Sequence, residues 1–302
     1  MSVIKTFEGR EGHISQKTGY DPVSLSCSNE SLAGAVSQRA CVYSGARVVL
    51  NPLTDALHLV HGPIGCASYT WDIRGSSSSG PDLYKNSFST DMSELDVVYG
   101  GEKKLARAIR DLAERFHPPA IFVYSTCMTE TMGCDVSEVC ESAAKDLRIP
   151  VIPVGSMGFQ AETGYEAACN ALLRLIGSRS YKPISPYSVN ILGDYNIAGD
   201  LWPIRSYLEE LGIEVISAIT GDSRVAEIQR AHCADLNLVQ CSSSIGSLAR
   251  RFEEEYGIPY RNVSFLGIEE TSSALRTAAE FFENPGIIEE SERMIGSVPI
   301  MM

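Results

Sequence analysis

The chain has 302 residues, 44% of them hydrophobic and 21% charged, with a formal net charge of −13 at pH 7. That size predicts about two domains of roughly 100–200 residues each, and the acidic balance excludes non-specific nucleic-acid binding, which needs a basic face. No apolar run approaches the roughly 18 residues of a membrane span, and the polar N-terminal stretch lacks the apolar centre of a secretory signal, so a cytoplasmic location is expected.

Disulfides are rare in that compartment, so the nine cysteines are expected as packed thiols or metal ligands. Packing is the default for each, because free cysteine behaves as a small hydrophobe.

Residues 1–40 are polar and aperiodic and read as an arm. Ala46–Asn51 is a strand or short helix running into Pro52. Glu102–Phe116 places Leu105, Ile109, Leu112 and Phe116 at helical spacing, and Pro118-Pro119 stops it. Ala120–Tyr124 is a continuous apolar run of the kind a buried parallel strand shows. A helix at Val136–Leu147, a strand at Val151–Val154 and a helix at Tyr165–Ile176 follow. Gly177, Pro183 and Pro186 then mark a boundary. Beyond it, strands at 188–192, 213–219, 236–239 and 263–266 alternate with helices at 201–211, 225–232, 245–256 and 272–282, the last ending near Asn284-Pro285. This alternation predicts an α/β protein with two successive doubly wound, Rossmann-like domains and mainly parallel sheets, at 41–183 and 184–302.

Three cysteines stand out by their surroundings. Cys41 lies in Arg-Ala-Cys-Val-Tyr-Ser-Gly, Cys66 in His-Gly-Pro-Ile-Gly-Cys-Ala and Cys127 in Val-Tyr-Ser-Thr-Cys-Met-Thr. Glycine or proline turns and a strand end put these thiols on tight backbone near amide donors, a setting suited to an iron–sulfur cluster. Three thiolates are one fewer than a cubane cluster takes, so a second chain is expected to complete the site. Cys241 follows the strand at 236–239, where parallel sheets gather their ligands. Cys27, Cys134, Cys140, Cys169 and Cys233 read as packing thiols, since no C-x-x-C pair is present. His58 and His61 read as satisfied structural histidines, with orientation of the Cys66 loop as the sharper alternative. Ser76–Ser79 is a polar loop with no nucleophile elbow around it. No phosphate-binding loop occurs, and Gly193–Gly199 is not a dinucleotide fingerprint.

Taken together, His61-Gly-Pro-Ile-Gly-Cys66, Leu95-Asp-Val-Val-Tyr-Gly-Gly-Glu102 and Gly193-Asp-Tyr-Asn-Ile-Ala-Gly-Asp200 resemble signatures of α-type subunits of the nitrogenase component 1 family. The resemblance runs from about Cys41 to about Pro285. Within the family, Trp71–Gly75, Thr90-Asp91 and Cys241–Arg250 look closest to the scaffold subunits that mature the iron–molybdenum cofactor precursor. The resemblance implies that Cys41, Cys66 and Cys127 hold a [4Fe–4S] cluster, with a further ligand from a β-type subunit in a hetero-oligomer. It implies a cofactor precursor cluster on the Cys241 thiolate, with Arg74 facing it and Val49 in the apolar pocket. Electrons would come from a separate iron-protein reductase. Catalytic α subunits of the family carry a Gln and a His in the loop after the strand at 151–154. Here that loop, Gly158–Tyr165, has no histidine, so a proton donor for dinitrogen reduction is missing. This favours a non-catalytic scaffold. The alternatives are a catalytic subunit acting on dinitrogen or a tetrapyrrole, and a structural module without metal. Family α subunits also have a third α/β domain, which would begin where this sequence stops.

Overall fold

The structure, a computed structural model, describes residues 41–70, 85–155 and 163–297. The expected arm, Cys27, Arg74, Ser76–Ser79 and most of the histidine-free loop lie outside the described residues. The N-terminal half begins with helix α1 (Val42–Leu50), strand β1 (Leu57–His61), helix α2 (Ile64–Thr70) and strand β2 (Ser87–Ser89). Helices α3 (Glu94–Tyr99) and α4 (Glu102–Phe116) lead to β3 (Ile121–Ser125). Then come α5 (Cys127–Thr131), α6 (Val136–Leu147), β4 (Val151–Val154) and α7 (Gly164–Leu173). These four strands form one all-parallel sheet in the order β2-β1-β3-β4.

The C-terminal half repeats the scheme. Strand β5 (Ser188–Asp194), α8 (Leu201–Glu210), β6 (Glu214–Thr220) and α9 (Val225–Arg230) are followed by a short 3-10 turn at Ala231–Cys233. Strand β7 (Leu236–Val239), α10 (Ser242–Tyr256), β8 (Tyr260–Asn262), α11 (Ile268–Phe281) and α12 (Pro285–Ser297) complete it. The second sheet is also parallel, in the order β6-β5-β7-β8. Among the described residues no helix is long and apolar enough to cross a membrane.

Both sheets are covered on two faces, which is why their central strands read as unbroken apolar runs. In β3, Ile121 and Val123 point into an outer cluster with Leu105 and Ile109 of α4 and Val136 and Cys140 of α6. Phe122 and Tyr124, on the opposite pleat, enter a cluster that joins both sheets through α1, α7 and α10. On the second sheet, Val189 and Ile191 of β5 face α8 and α11, while Leu192 joins the shared cluster. Each fully buried aliphatic side chain contributes roughly 1.5–3 kcal/mol.

Local signals explain most boundaries. His117, in the left-handed conformation, donates its N–H to the Ala113 carbonyl and closes α4 before Pro118, as a C-cap does. Thr163 and Glu166 form a reciprocal capping box that opens α7. The short run Ala46–Asn51 resolves as helix, because α1 buries one face on the sheet and the other on α7. The expected strand at 263–266 is displaced. Pairing with β7 covers Tyr260–Asn262, and the Asn237 N–H already bonds to the Pro259 carbonyl at 2.9 Å. An edge strand half in water has no need of apolar residues, and the following run leaves Leu266 71% exposed. Helix α11 ends at Phe281, just before Asn284-Pro285 as expected, and the same pair also starts α12: Asn284 Oδ1 accepts the N–H groups of Gly286 and Ile287, and proline suits the first helical position.

Helices α1 and α7 cross at paired glycines. A Cβ on Gly164 would lie 2.5 Å from the Val42 carbonyl oxygen and 2.6 Å from the Gly45 Cα, both rigid backbone atoms. Gly164→Ala is therefore expected to lower stability by about 1–3 kcal/mol, read as a lower urea midpoint at unchanged m. An unchanged midpoint would show that the crossing is loose.

His58 gives a pH signature. Its Nε2–H donates to the Leu53 carbonyl at 3.2 Å, leaving Nδ1 to accept from the Tyr124 hydroxyl at 2.8 Å. Burial, helped by the Arg47 cation, lowers its pKa to about 3. Unfolded histidine titrates near 6.5, so between these values the unfolded chain binds more protons and stability falls as pH falls. Urea midpoints measured from pH 7 to pH 4 should decline, and His58→Gln should flatten the decline by up to one proton. Equal slopes in the two proteins would refute the buried neutral state.

Candidate functional site

Strands β1 and β3 are neighbours in register, with His61 opposite Ser125. Their C-terminal ends therefore release two loops side by side, one carrying Cys66 and the other Cys127. The loops are locked by a close contact: a Cβ on Gly62 would lie 2.6 Å from the Thr126 side chain, whose hydroxyl donates to the His61 carbonyl at 3.2 Å. Cys66 sits half-buried in the first turn of α2, and Cys127, exposed, opens α5. Cys41, also exposed, is the N-cap of α1. That helix is tied to the Cys66 loop by Tyr43, whose hydroxyl donates to the Cys66 carbonyl at 3.1 Å.

The register of β1 and β3 puts the Cys66 and Cys127 loops side by side, and Tyr43 ties the start of α1 to the Cys66 carbonyl. Burial raises the pKa of the Cys66 thiol, and the charges of Cys127 and then Cys41 raise it further. Among the described residues no three His, Cys, Asp or Glu side chains are placed to hold a single metal ion. One ion at about 2.3 Å from each sulfur draws its ligands to within about 4 Å of one another, whereas a cubane offers a separate iron to each thiolate. Three thiols on adjoining segments, two of them at the surface, are a donor set of the second kind.

Behind the loops lies a hydrogen-bond network. Thr90 Oγ1 accepts the Gly62 N–H at 3.2 Å and pairs with His61 Nδ1 at 3.0 Å, while His61 Nε2 meets the Cys134 Sγ at 3.5 Å. Burial lowers the His61 pKa to about 4, against the opposing pull of Glu102 and Asp96. Burial, then the Glu102 carboxylate, pushes the Cys134 thiol up to about 12. A neutral imidazole beside a protonated thiol is the reverse of an activated nucleophile pair, so His61 and Cys134 buttress the loop. Cys140 and Cys169 are buried in helices and their thiols are raised by burial.

Cys241 stands apart, on the second sheet. It is the N-cap of α10, directly after β7. Burial opposes its ionisation, but hydrogen bonds from the hydroxyls and backbone N–H groups of Ser243 and Ser244 outweigh it and lower the pKa. The positive end of a 15-residue helix favours the thiolate as well. Gly193, at φ +81°, makes room for it: a Cβ there would be 2.9 Å from the Cys241 nitrogen. Val49 is fully buried in the shared core, and its carbonyl accepts the Thr220 hydroxyl of β6. Sequence reasoning missed Tyr43, Thr126 and the role of Gly193. Neither periodicity nor spacing marks them, because each acts through one contact with a distant segment.

The family model for nitrogenase component 1 type oxidoreductases matches residues 41–298. The chain is 52% identical to a nitrogenase iron–molybdenum cofactor biosynthesis protein NifE of Methanosarcina barkeri, across 98% of this chain and 66% of the relative. It is 48% identical to the NifE of Clostridium pasteurianum, across 97% of this chain and 65% of the relative. The chain thus spans about two thirds of the length of these curated relatives. A solved structure of nitrogenase Cp1 at pH 6.5 superposes with a TM-score of 0.81 at 38% identity, covering 89% of this chain and 54% of that one. The same protein at pH 5 gives 0.82 at 37% identity, over 98% of this chain and 62% of the other. With its two parallel sheets, its thiol-bearing loops and these matches across nearly the whole sequence, the chain belongs to the nitrogenase component 1 family.

Proposed function

We propose that this chain is the α-type part of a NifE-like scaffold on which the nitrogenase iron–molybdenum cofactor is built, working with a β-type subunit. The observation that carries the reading is the pairing of two distinct thiol sites. One is a surface triad, Cys41, Cys66 and Cys127, and the other is a single stabilised thiolate, Cys241. The identity of about one half to NifE proteins supports the assignment within the family.

The triad would hold a [4Fe–4S] cluster, which supplies one-electron transfer when bound. The residues of the chain would orient it. Tyr43, Thr126 and Gly62 hold the loops to one another. A further ligand would come from the partner. Solvent-exposed apolar side chains flank the triad, Ile64 beside Cys66 and Met128 beside Cys127. Helix α3 buries none of its residues and exposes Leu95, Val98 and Tyr99. Such a surface suits burial against a second protein. Cys241 would hold the cofactor precursor through one thiolate, with Arg74 facing the anionic group and Val49 in the apolar surroundings. Electrons would come from a separate iron-protein reductase, since the sequence has no phosphate-binding loop.

The nitrogenase neighbours favour one second reading, a catalytic subunit of a nitrogenase-like reductase. The absence of histidine from Gly158–Tyr165 weighs against dinitrogen reduction by this chain.

The two sites are separable by substitution. Purified without oxygen together with its partner, the protein is expected to contain iron and give the paramagnetic spectrum of a reduced cubane. Cys41→Ala, Cys66→Ala or Cys127→Ala should each abolish or strongly reduce that signal, and Cys241→Ala should leave it intact while losing precursor binding. A wild-type complex with no iron–sulfur signal would refute the scaffold reading. Loss of a reductase turnover in Cys241→Ala would favour the enzyme.

A further inference from the structure

Arg47 is fully buried in α1 and has no carboxylate partner among the described residues. Its Nη2 donates to the Ser87 hydroxyl at 2.9 Å, but Nε and Nη1 have no acceptor. Elsewhere the chain pairs arginines with glutamates at or near the surface, as in Arg205–Glu227 and Arg276–Glu292. An ion taken out of water without a partner is strongly unfavourable. Buried water can satisfy the two N–H groups, yet it brings no negative charge.

Among the described residues the surroundings of Arg47 supply none either. The guanidinium lies 5.2 Å from the centre of the Tyr124 ring, and neutral His58 bonds to the Tyr124 hydroxyl. From Tyr124 a short path leads to the thiol triad. Its ring meets Tyr43 edge-on at 5.9 Å between centres, and the Tyr43 hydroxyl donates to the Cys66 carbonyl at 3.1 Å.

We propose that Arg47 is the built-in countercharge of the anionic iron–sulfur cluster held by Cys41, Cys66 and Cys127, acting across Tyr124 and Tyr43. This inference rests on the cluster-binding reading above. Without the cluster no carboxylate among the described residues offsets this buried cation; with it, the thiolates and the iron–sulfur core would supply negative charge. Adding an electron makes the cluster more negative, so a fixed cation behind it favours the reduced state and raises the reduction potential. Arg47 is thus a positioning and tuning residue that touches no substrate.

The test compares wild type, Arg47→Met and Arg47→Lys in the complex with the partner, both loaded and stripped of iron. Arg47→Met keeps most of the volume and removes the charge. In the stripped complex it is expected to raise the urea midpoint, because a buried unpaired ion has gone. In the loaded complex it is expected to lower the midpoint potential of the interface cluster. Retention of that cluster should fall roughly tenfold, the change that about 1.4 kcal/mol makes. Arg47→Lys keeps the charge and should stay near wild type in both respects. An unchanged potential in Arg47→Met overturns the proposal. So does a stripped Arg47→Met complex that is less stable or fails to fold, which is the mark of a packing role. A shift confined to the precursor signal, with the interface cluster unaffected, overturns it as well. A wild-type complex lacking any iron–sulfur signal is a different failure, that of the scaffold reading itself.

Discussion

The contact between Gly62 and Thr126 is the constraint on which the triad depends. Parallel register places the ends of β1 and β3 side by side, but register alone leaves two loops free to splay. With no side chain at Gly62, the Thr126 methyl and hydroxyl close the gap, and the hydroxyl bonds to the His61 carbonyl. Thr90 and His61 hold the same loop from behind, and Tyr43 draws in the helix that begins at Cys41. Three segments far apart in sequence are fixed by a handful of short contacts. A metal cluster with rigid bond lengths needs that kind of support.

The electrostatics sort the cysteines by task. Cys140 and Cys169 are held as thiols by burial within helices, and Cys134 by burial and the adjacent Glu102. At Cys241, hydrogen bonds from Ser243 and Ser244 reverse the effect of burial. At Cys66, burial and then the neighbouring Cys127 and Cys41 make ionisation harder.

Much of the fold was legible in the sequence because local chemistry and tertiary burial agree. Helices α4 and α6 and strands β4 and β7 combine a clear apolar pattern with proline, glycine or carboxylate punctuation, and they fall where the pattern puts them. Strand β8 did not, since an edge strand exposing Arg261 and Asn262 carries no apolar signature, and the apolar run after it serves the α11 packing instead. Asn284-Pro285 reads equally as an end or a beginning until the turn that Asn284 caps is seen. The candidate site was legible in its cysteines, through their turns and the family signatures. Tyr43, Thr126 and Arg47 were not, because their meaning lies in partners tens of residues away.

Iron-edge anomalous scattering from crystals of the complex prepared without oxygen tests the account most directly. A compact group of iron peaks within bonding distance of the sulfurs of Cys41, Cys66 and Cys127, at the boundary with the second subunit, is the expected result. Iron density placed elsewhere, with those three sulfurs unligated, would contradict it.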